Sequence, residues 1–491
     1  MVSLKKHFIN GSWIESSGTS FTSTNPATEE IIWEGNEAGK EIVDAAVTSA
    51  HTAFSSWSQQ DISKRIEKIE AFRNILMREK ENLAKTISSE NGKPLWESLN
   101  EVGAMIGKIA ISIDAYHVRC RETKQQQPAG TLITRHRPHG VMAVFGPFNF
   151  PGHLPNGHII PALLAGNTIV FKPSEMTPLT AELTVKYWEK SGIPKGVINL
   201  IQGGAKAGAA LSEHPEIDGI LFTGSSTTGC RLAEIMGKTP GKIVALEMGG
   251  NNPLIVNNIS NAEAAAYLTI QSAFLSSGQR CTCARRLIIL QGNQGDRFLK
   301  ELVEMTKKLV VGPYTQIPEP FMGPLISKQA AAKILDTQRK LQSLGGTPIL
   351  PLTQLDLGAA FLSPGIIDVT QVVDLPDEEY FGPLLQVIRV ADFNAAIAQA
   401  NKTRFGLTAG LLSDKRDEFE LFYKSAKAGV VSWNTQMTGA SSLAPFGGLG
   451  CSGNQRPSGY YAADYCVYPL VSLESPKIII PSVKAPGMSN G

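Results

Sequence analysis

The stretch NTIVFKPSE, residues 167–175, followed by TAELTVKYWEKSG at 180–192, sets the rhythm of the chain. A short apolar strand ends in a lysine-proline loop and runs on into an amphipathic helix. The unit recurs downstream. VINLIQGG (197–204) reads as a strand, DGILFTGS (218–225) as another, and KIVALEMGG (242–250) as a fourth. Strands alternating with helices predict parallel βαβ units, and so a doubly wound α/β sheet of the Rossmann type that binds nucleotides at its carboxyl edge.

Working outward, HFINGSW near the start carries an Asn10-Gly11 hairpin signal. Residues 37–89 follow a helical period, broken at Asn91-Gly92-Lys93-Pro94, and a long helix resumes through Ala104–Tyr116. Beyond residue 250 the rhythm restarts. NPLIV, ARRLIIL and LLQVIRV are strands, AEAAAYLTIQSAFLSSG (262–278) and Phe298–Val310 helices, and GVVSWN a closing strand. The expected organisation is a split nucleotide-binding domain (1–130 and 146–250) and an α/β catalytic domain (251–437). The ribbon 131–145 and the strand 465–482 fit neither sheet and are expected to pair as an arm joining subunits, with 483–491 a frayed tail.

The 491 residues exceed what one hydrophobic core supports. A formal net charge of +2, with no basic block, gives no support to a nucleic-acid or anionic-membrane partner. Six cysteines in so long a chain make no disulfide framework, and Cys281-Thr-Cys283 lacks the second cluster that a zinc site needs, so no metal is expected. No apolar stretch reaches 18 residues, and the first residues lack a signal-peptide core. A soluble cytoplasmic protein is expected.

Six stretches carry chemistry, and several have a second, structural reading. Cys281, in SSGQRCTCARR, is either a thiolate nucleophile or a small buried hydrophobe. Glu247 leaves an apolar strand just before Gly249-Gly250, where burial raises a carboxyl and suits it to general-base work, or it merely caps a turn. Asn149, in the rigid loop GPFNFP, is an amide donor for an oxyanion or an Asx-turn residue. FTGSSTTG, with Gly224, Ser225 and Gly229 ahead of a helix, is a weak phosphate-loop signal. Lys172 and Glu175 at a sheet edge can grip a ribose, the carboxylate favouring NAD over NADP; the alternative for Lys172 is a solvated charge. In EEYFGP, Phe381 can pack on a planar ring while Glu379 accepts from a second ribose.

Taken in order, GPFNFP, KPSE, FTGS, LEMGG, GQRC, EEYFGP and WNTQ…PFGGLGCSG resemble the aldehyde dehydrogenase superfamily over essentially the whole chain. The resemblance implies NAD as cofactor, Cys281 as the nucleophile of a thiohemiacetal and thioester, and Glu247 as the base for thioester hydrolysis. Asn149 and the Cys281 backbone N–H would form the oxyanion site. Lys172 and Glu175 would hold the adenine ribose, Gly224–Gly229 the pyrophosphate, and Glu379 with Phe381 the nicotinamide end. Phe148 departs from the tryptophan many members carry, keeping an apolar wall. A finer likeness, in MIGKIAISIDAYHVR, RHRPHGVMAVFGPFNFPGHLPNGHIIPALLAGNTI and GNQRPSGYYAADYC, points to members whose aldehyde carries two carboxylates. Arg280 and Arg456 are then candidates to grip them, against a structural salt bridge for each. The family also implies a small-molecule substrate and a homodimer or dimer of dimers. The presence of both Cys281 and Glu247 argues against a catalytically silent relative.

Overall fold

The computed structural model describes residues 7–478, 480 and 485–488. The expected tail, 483–491, lies outside them except for 485–488. Two seven-stranded sheets form the body. The first runs in the order Ile243–Met248, Gly219–Gly224, Val141–Phe145, Thr168–Lys172, Ile198–Leu200, His7–Ile9, Ser12–Ile14. Its first five strands are parallel, and the amino-terminal hairpin adds an antiparallel edge. Asn10 and Gly11 form its turn with φ of 51° and 72°, the left-handed pair a two-residue hairpin demands.

Alternation along these strands feeds two cores. Val141, Ala143 and Phe145 pack with Val170, Ile220 and Phe222 on one face. Met142 and Val144 pack with Ile169, Phe171 and Leu221 on the other, under the long helix Leu95–Arg119 and the helix His153–Ala165. Each fully buried large apolar side chain contributes about 1.5–3 kcal/mol. The second sheet orders Thr347–Leu350, Gly365–Asp368, Leu384–Val390, Ala284–Leu290, Asn252–Val256, Thr408–Leu412, Val430–Trp433, parallel except at its first pair. It too has a core on each face.

A third sheet stands apart. Val467–Glu474 pairs antiparallel with Gly130–Pro138, which pairs in turn with Thr123–Gln127. Two expected boundaries need correcting. Val141–Phe145, assigned to the arm from sequence, is a central strand of the first sheet, because all five of its residues are buried between two helical layers. The arm strand stops at Glu474, where residues 475–478 turn away from the ladder.

Candidate active site

The parallel part of the first sheet starts at Val141–Phe145, moves outward one way through Thr168–Lys172, then returns to lay Gly219–Gly224 on the other side. Diverging connections at this switch point leave a crevice beyond the carboxyl ends of Val141–Phe145 and Gly219–Gly224. It opens into a cleft of about 1040 Å³ between the sheets. Gly146–Phe150 and Gly224–Thr228 enter from the first sheet, Gln279–Thr282 and Glu378–Phe381 from the second, and the helix Leu95–Arg119 forms one wall.

Cys281 is presented by an unusual turn. The helix Ala262–Phe274 ends, and Ser276, Ser277 and Gly278 all adopt left-handed backbone with φ of 53°, 55° and 72°. Gly278 must be glycine, since a Cβ there would lie 2.2 Å from the Gly382 carbonyl oxygen. Each left-handed serine costs about 1–2 kcal/mol, so the surroundings must enforce the shape. Buried Glu97 accepts from the Ser276 N–H (2.9 Å) and hydroxyl, and the Ser277 hydroxyl donates to the Gly323 carbonyl (2.7 Å). Arg285 donates to the carbonyls of Gly278 (2.6 Å) and Arg280 (2.8 Å), and Asn252 to that of Cys281 (2.6 Å). The nucleophile candidate is therefore fixed by partners from four other segments.

The Cys281 thiol is partly exposed at the base of the cleft. Desolvation pushes its pKa up to about 12, with the carboxylates of Glu379 and Glu247 adding to the rise and Arg285 opposing it. At rest it is a thiol. Glu247 enters from the end of Ile243–Met248, 4% exposed. Burial raises its carboxyl well above the usual range, opposed only by Ser458, through its N–H, 3.1 Å from Oε1, and its side chain. Its Oε2 has no hydrogen-bond partner among the described residues. A buried carboxyl with one unsatisfied oxygen at a cleft is suited to exchange a proton with whatever enters. Asn149 Nδ2 donates to the Gln279 carbonyl (2.8 Å), which places the amide beside the nucleophile turn and commits one of its two hydrogens.

At the other end of the cleft, Lys172 is buried, with Nζ 2.8 Å from the Pro173 carbonyl and 3.7 Å from half-exposed Glu175. Ser225 caps the helix Ser226–Gly237, accepting from the Thr228 N–H, and that helix start faces the cleft. Glu379 accepts from the Gly250 N–H (3.1 Å), and its carboxylate lies where a Gly249 side chain would be. Phe381 and Phe148 meet edge to face, 5.8 Å apart.

Three sequence-based candidates are held differently from expectation: Arg280 lines the cleft but is tied up by structural bonds, while Arg456 and Gly229 are not in the lining. Arg280 is spent on structure: Nη2 donates to Glu97 (3.1 Å), Nε to the Ser276 hydroxyl (2.9 Å) and Nη1 to the Thr438 carbonyl (3.2 Å). Arg456 is exposed and outside the cleft lining. Gly229 does not face the cleft either; a Cβ there would lie 2.2 Å from Met248 Sδ, so it lets the helix approach the sheet. Sequence reasoning missed the polar stripe of the long helix, Glu97, Glu101 and Lys108, and the pairing of Glu101 with buried Lys93. The available signal was three charges at i, i+4 and i+11 in a helix otherwise apolar on that face.

A turn-fixed thiol and a buried carboxyl lining one cleft between two α/β sheets are the groups that thiol-dependent covalent catalysis requires. The sequence matches the aldehyde dehydrogenase family over residues 13–469, and the chain belongs to that family. Its structure is similar to that of the aldehyde dehydrogenase KauB from Pseudomonas aeruginosa, at 29% identity, 96% of each chain and a TM-score of 0.90. It is also similar to an NAD+ complex of an aldehyde dehydrogenase from Bacillus cereus, at 29% identity, 97% of each chain and TM-score 0.90. An NADP-dependent enzyme of E. coli matches at 30% identity, 96% of this chain and 98% of the other, with TM-score 0.89.

Proposed function

We propose that this chain oxidises N-succinyl-L-glutamate 5-semialdehyde to N-succinyl-L-glutamate, with NAD and water, in the succinyl-transfer route of arginine breakdown in the cytoplasm. The observation that carries the chemistry is the convergence of Cys281, Glu247 and Asn149 on one cleft. The substrate rests on the finer sequence likeness.

The residues present fit a nicotinamide dinucleotide along its length. Buried Lys172 has donors to spare, Glu175 stands beside it for a ribose, and the capped helix start offers backbone N–H groups to phosphates. Phe381 supplies an apolar ring edge and Glu379 a carboxylate at the cleft's centre. A bound NAD supplies the hydride acceptor. Cys281 Sγ attacks the aldehyde carbon, the thiol proton leaving to solvent or Glu247, and a C–S bond forms while the carbonyl becomes an oxyanion. The remaining Asn149 amide hydrogen and the Cys281 N–H stabilise that charge. Loss of the aldehydic hydrogen with its electron pair leaves a thioester on Sγ. Ionised Glu247 then takes a proton from water, the hydroxide adds to the thioester carbon, and Sγ departs as the acid forms.

The arm leaves Tyr468, Val471 and Leu473 exposed on one strand, which supports a homodimer or dimer of dimers built through it. The deciding experiment is a panel of N-succinylglutamate, succinate and glutamate semialdehydes followed by NADH absorbance. Highest kcat/KM for the first supports the reading; a preference for either of the others reassigns the substrate.

A further inference from the structure

The helical wall of the cleft carries an unbalanced charge. Its two buried carboxylates pair with cations from other segments: Glu97 with half-buried Arg280, and Glu101 with buried Lys93. Glu101 also accepts from the N–H groups of Gly152 (2.9 Å) and His153 (3.0 Å). Lys108, on the same helix face and 2% exposed, has no carboxylate partner among the described residues. Its single bond is from Nζ to the Gly459 carbonyl, at 2.6 Å. Two ammonium hydrogens are left over on a group that lines the cleft.

Among the described residues no charged group neutralises it. His153 and His158, from the helix His153–Ala165, are held neutral by burial, and the thiol of Cys466 behind it is raised well above its usual range. Burial pushes Lys108 itself down only to about 8. Isolated buried cations are costly, so a site that keeps one with open hydrogens is shaped for an anion from outside. The position is also on the acyl side. Gly459, which holds Nζ, follows Ser458, whose N–H holds Glu247. The cofactor-type residues Lys172 and Ser225 belong to other elements, at the ends of the strands Thr168–Lys172 and Gly219–Gly224. His153, on the neighbouring helix, also lines the cleft, and its Nδ1 has no hydrogen-bond partner among the described residues.

We infer that Lys108 is the specificity-determining cation, its ammonium taking a carboxylate of the aldehyde substrate while the carbonyl sits at Cys281. This rests on the aldehyde-oxidation reading of the site and assigns to Lys108 the role expected of Arg280 and Arg456.

The test compares succinate semialdehyde with butanal, the same carbon chain with and without the carboxylate, in wild type, Lys108→Met and Lys108→Arg, with NAD in excess. Lys108→Met should lower kcat/KM for the semialdehyde by about 10- to 100-fold, the range for losing a charge-assisted hydrogen bond. Butanal should change by less than about 3-fold, within the scatter of neutral contacts. Lys108→Arg should keep the preference for the charged aldehyde. Equal losses on both aldehydes in Lys108→Met, unchanged use of the semialdehyde, or loss of preference in Lys108→Arg overturns the inference while leaving the oxidation reading intact. A wild type that forms NADH neither from these aldehydes nor from N-succinyl-L-glutamate 5-semialdehyde overturns the oxidation reading, and this inference with it.

Discussion

Glu97 is the perturbation that separates the turn at Cys281 from the rest of the site. Its carboxylate, 1% exposed at the side chain, accepts from the Ser276 N–H at 2.9 Å, from the Ser276 hydroxyl and from Arg280 at 3.1 Å. Glu97→Gln keeps the shape and one acceptor but leaves Arg280, 17% exposed, without its counter-charge. Removing one partner of a buried pair costs about 3–5 kcal/mol, and the weakened bonds to Ser276 fall within that figure because the network does not add term by term. Two left-handed serines cost about 1–2 kcal/mol each, so a loss of this size is enough to let the turn relax. The expected result is a drop of about 3–5 kcal/mol in unfolding free energy by urea titration, with kcat falling and the dissociation constant for NAD unchanged. The double variant Glu97→Gln/Arg280→Gln should recover about 1–3 kcal/mol, since the stranded charge is gone. A single variant as stable and active as wild type, or a double variant showing purely additive losses, would refute this account of the turn.

The other outcomes concern the chemistry. Cys281→Ser should abolish NADH formation while keeping NAD binding, and in wild type the rate of Cys281 alkylation by iodoacetamide should climb from pH 7 to 10 without a plateau, since burial pushes the thiol up to about 12. A plateau near neutrality would show a preformed thiolate. Glu247→Gln should give one burst of NADH per site and then a steady rate down by about 10²–10⁴, the usual contribution of a general base; an unchanged steady rate removes Glu247 from that role. Its raised pKa also has a stability sign. Above the ordinary carboxyl range the unfolded chain binds fewer protons than the folded one, so stability falls as pH rises through the folded value. The melting temperature of wild type should therefore drop relative to Glu247→Gln as pH increases, and parallel curves would contradict the burial. Glu175→Gln should narrow the preference for NAD over NADP in kcat/KM, and a wild type that favours NADP would rule out the reading of Glu175.

Much of the body was legible because its signals are local. Asn10-Gly11 can form only a tight left-handed turn, and runs such as LLQVIRV are too apolar and β-branched for a surface. The strand Thr408–Leu412 escaped notice. Its residues, TAGLL, include alanine and glycine of low strand propensity, and it is buried on both faces, so no alternation marks it. Val141–Phe145 was placed with the arm for a related reason, as it follows an alternating ribbon across only His139-Gly140. The site was legible where one side chain meets one strand end, as at Glu247. It was not legible where partners lie far apart in the chain. Arg280 looked free beside the nucleophile because Glu97 lies 183 residues earlier, and only the packed helix brings them together.

The carboxyls in the cleft oppose a thiolate. Burial raises the Cys281 thiol, and charged Glu379 and Glu247 raise it further. Burial also raises the Glu247 carboxyl well above the usual range. A thiolate beside either charged carboxylate is therefore disfavoured. In the proposed mechanism the thiol proton therefore leaves as sulfur attacks the aldehyde, when negative charge moves from sulfur to an oxygen facing Asn149 and the Cys281 N–H. Once the proposed thioester has formed, sulfur carries no charge, and the Glu247 carboxylate, its Oε2 unpartnered among the described residues, is available to water. On that reading, two acids that oppose each other before the first step become a neutral acyl sulfur and a base for the second.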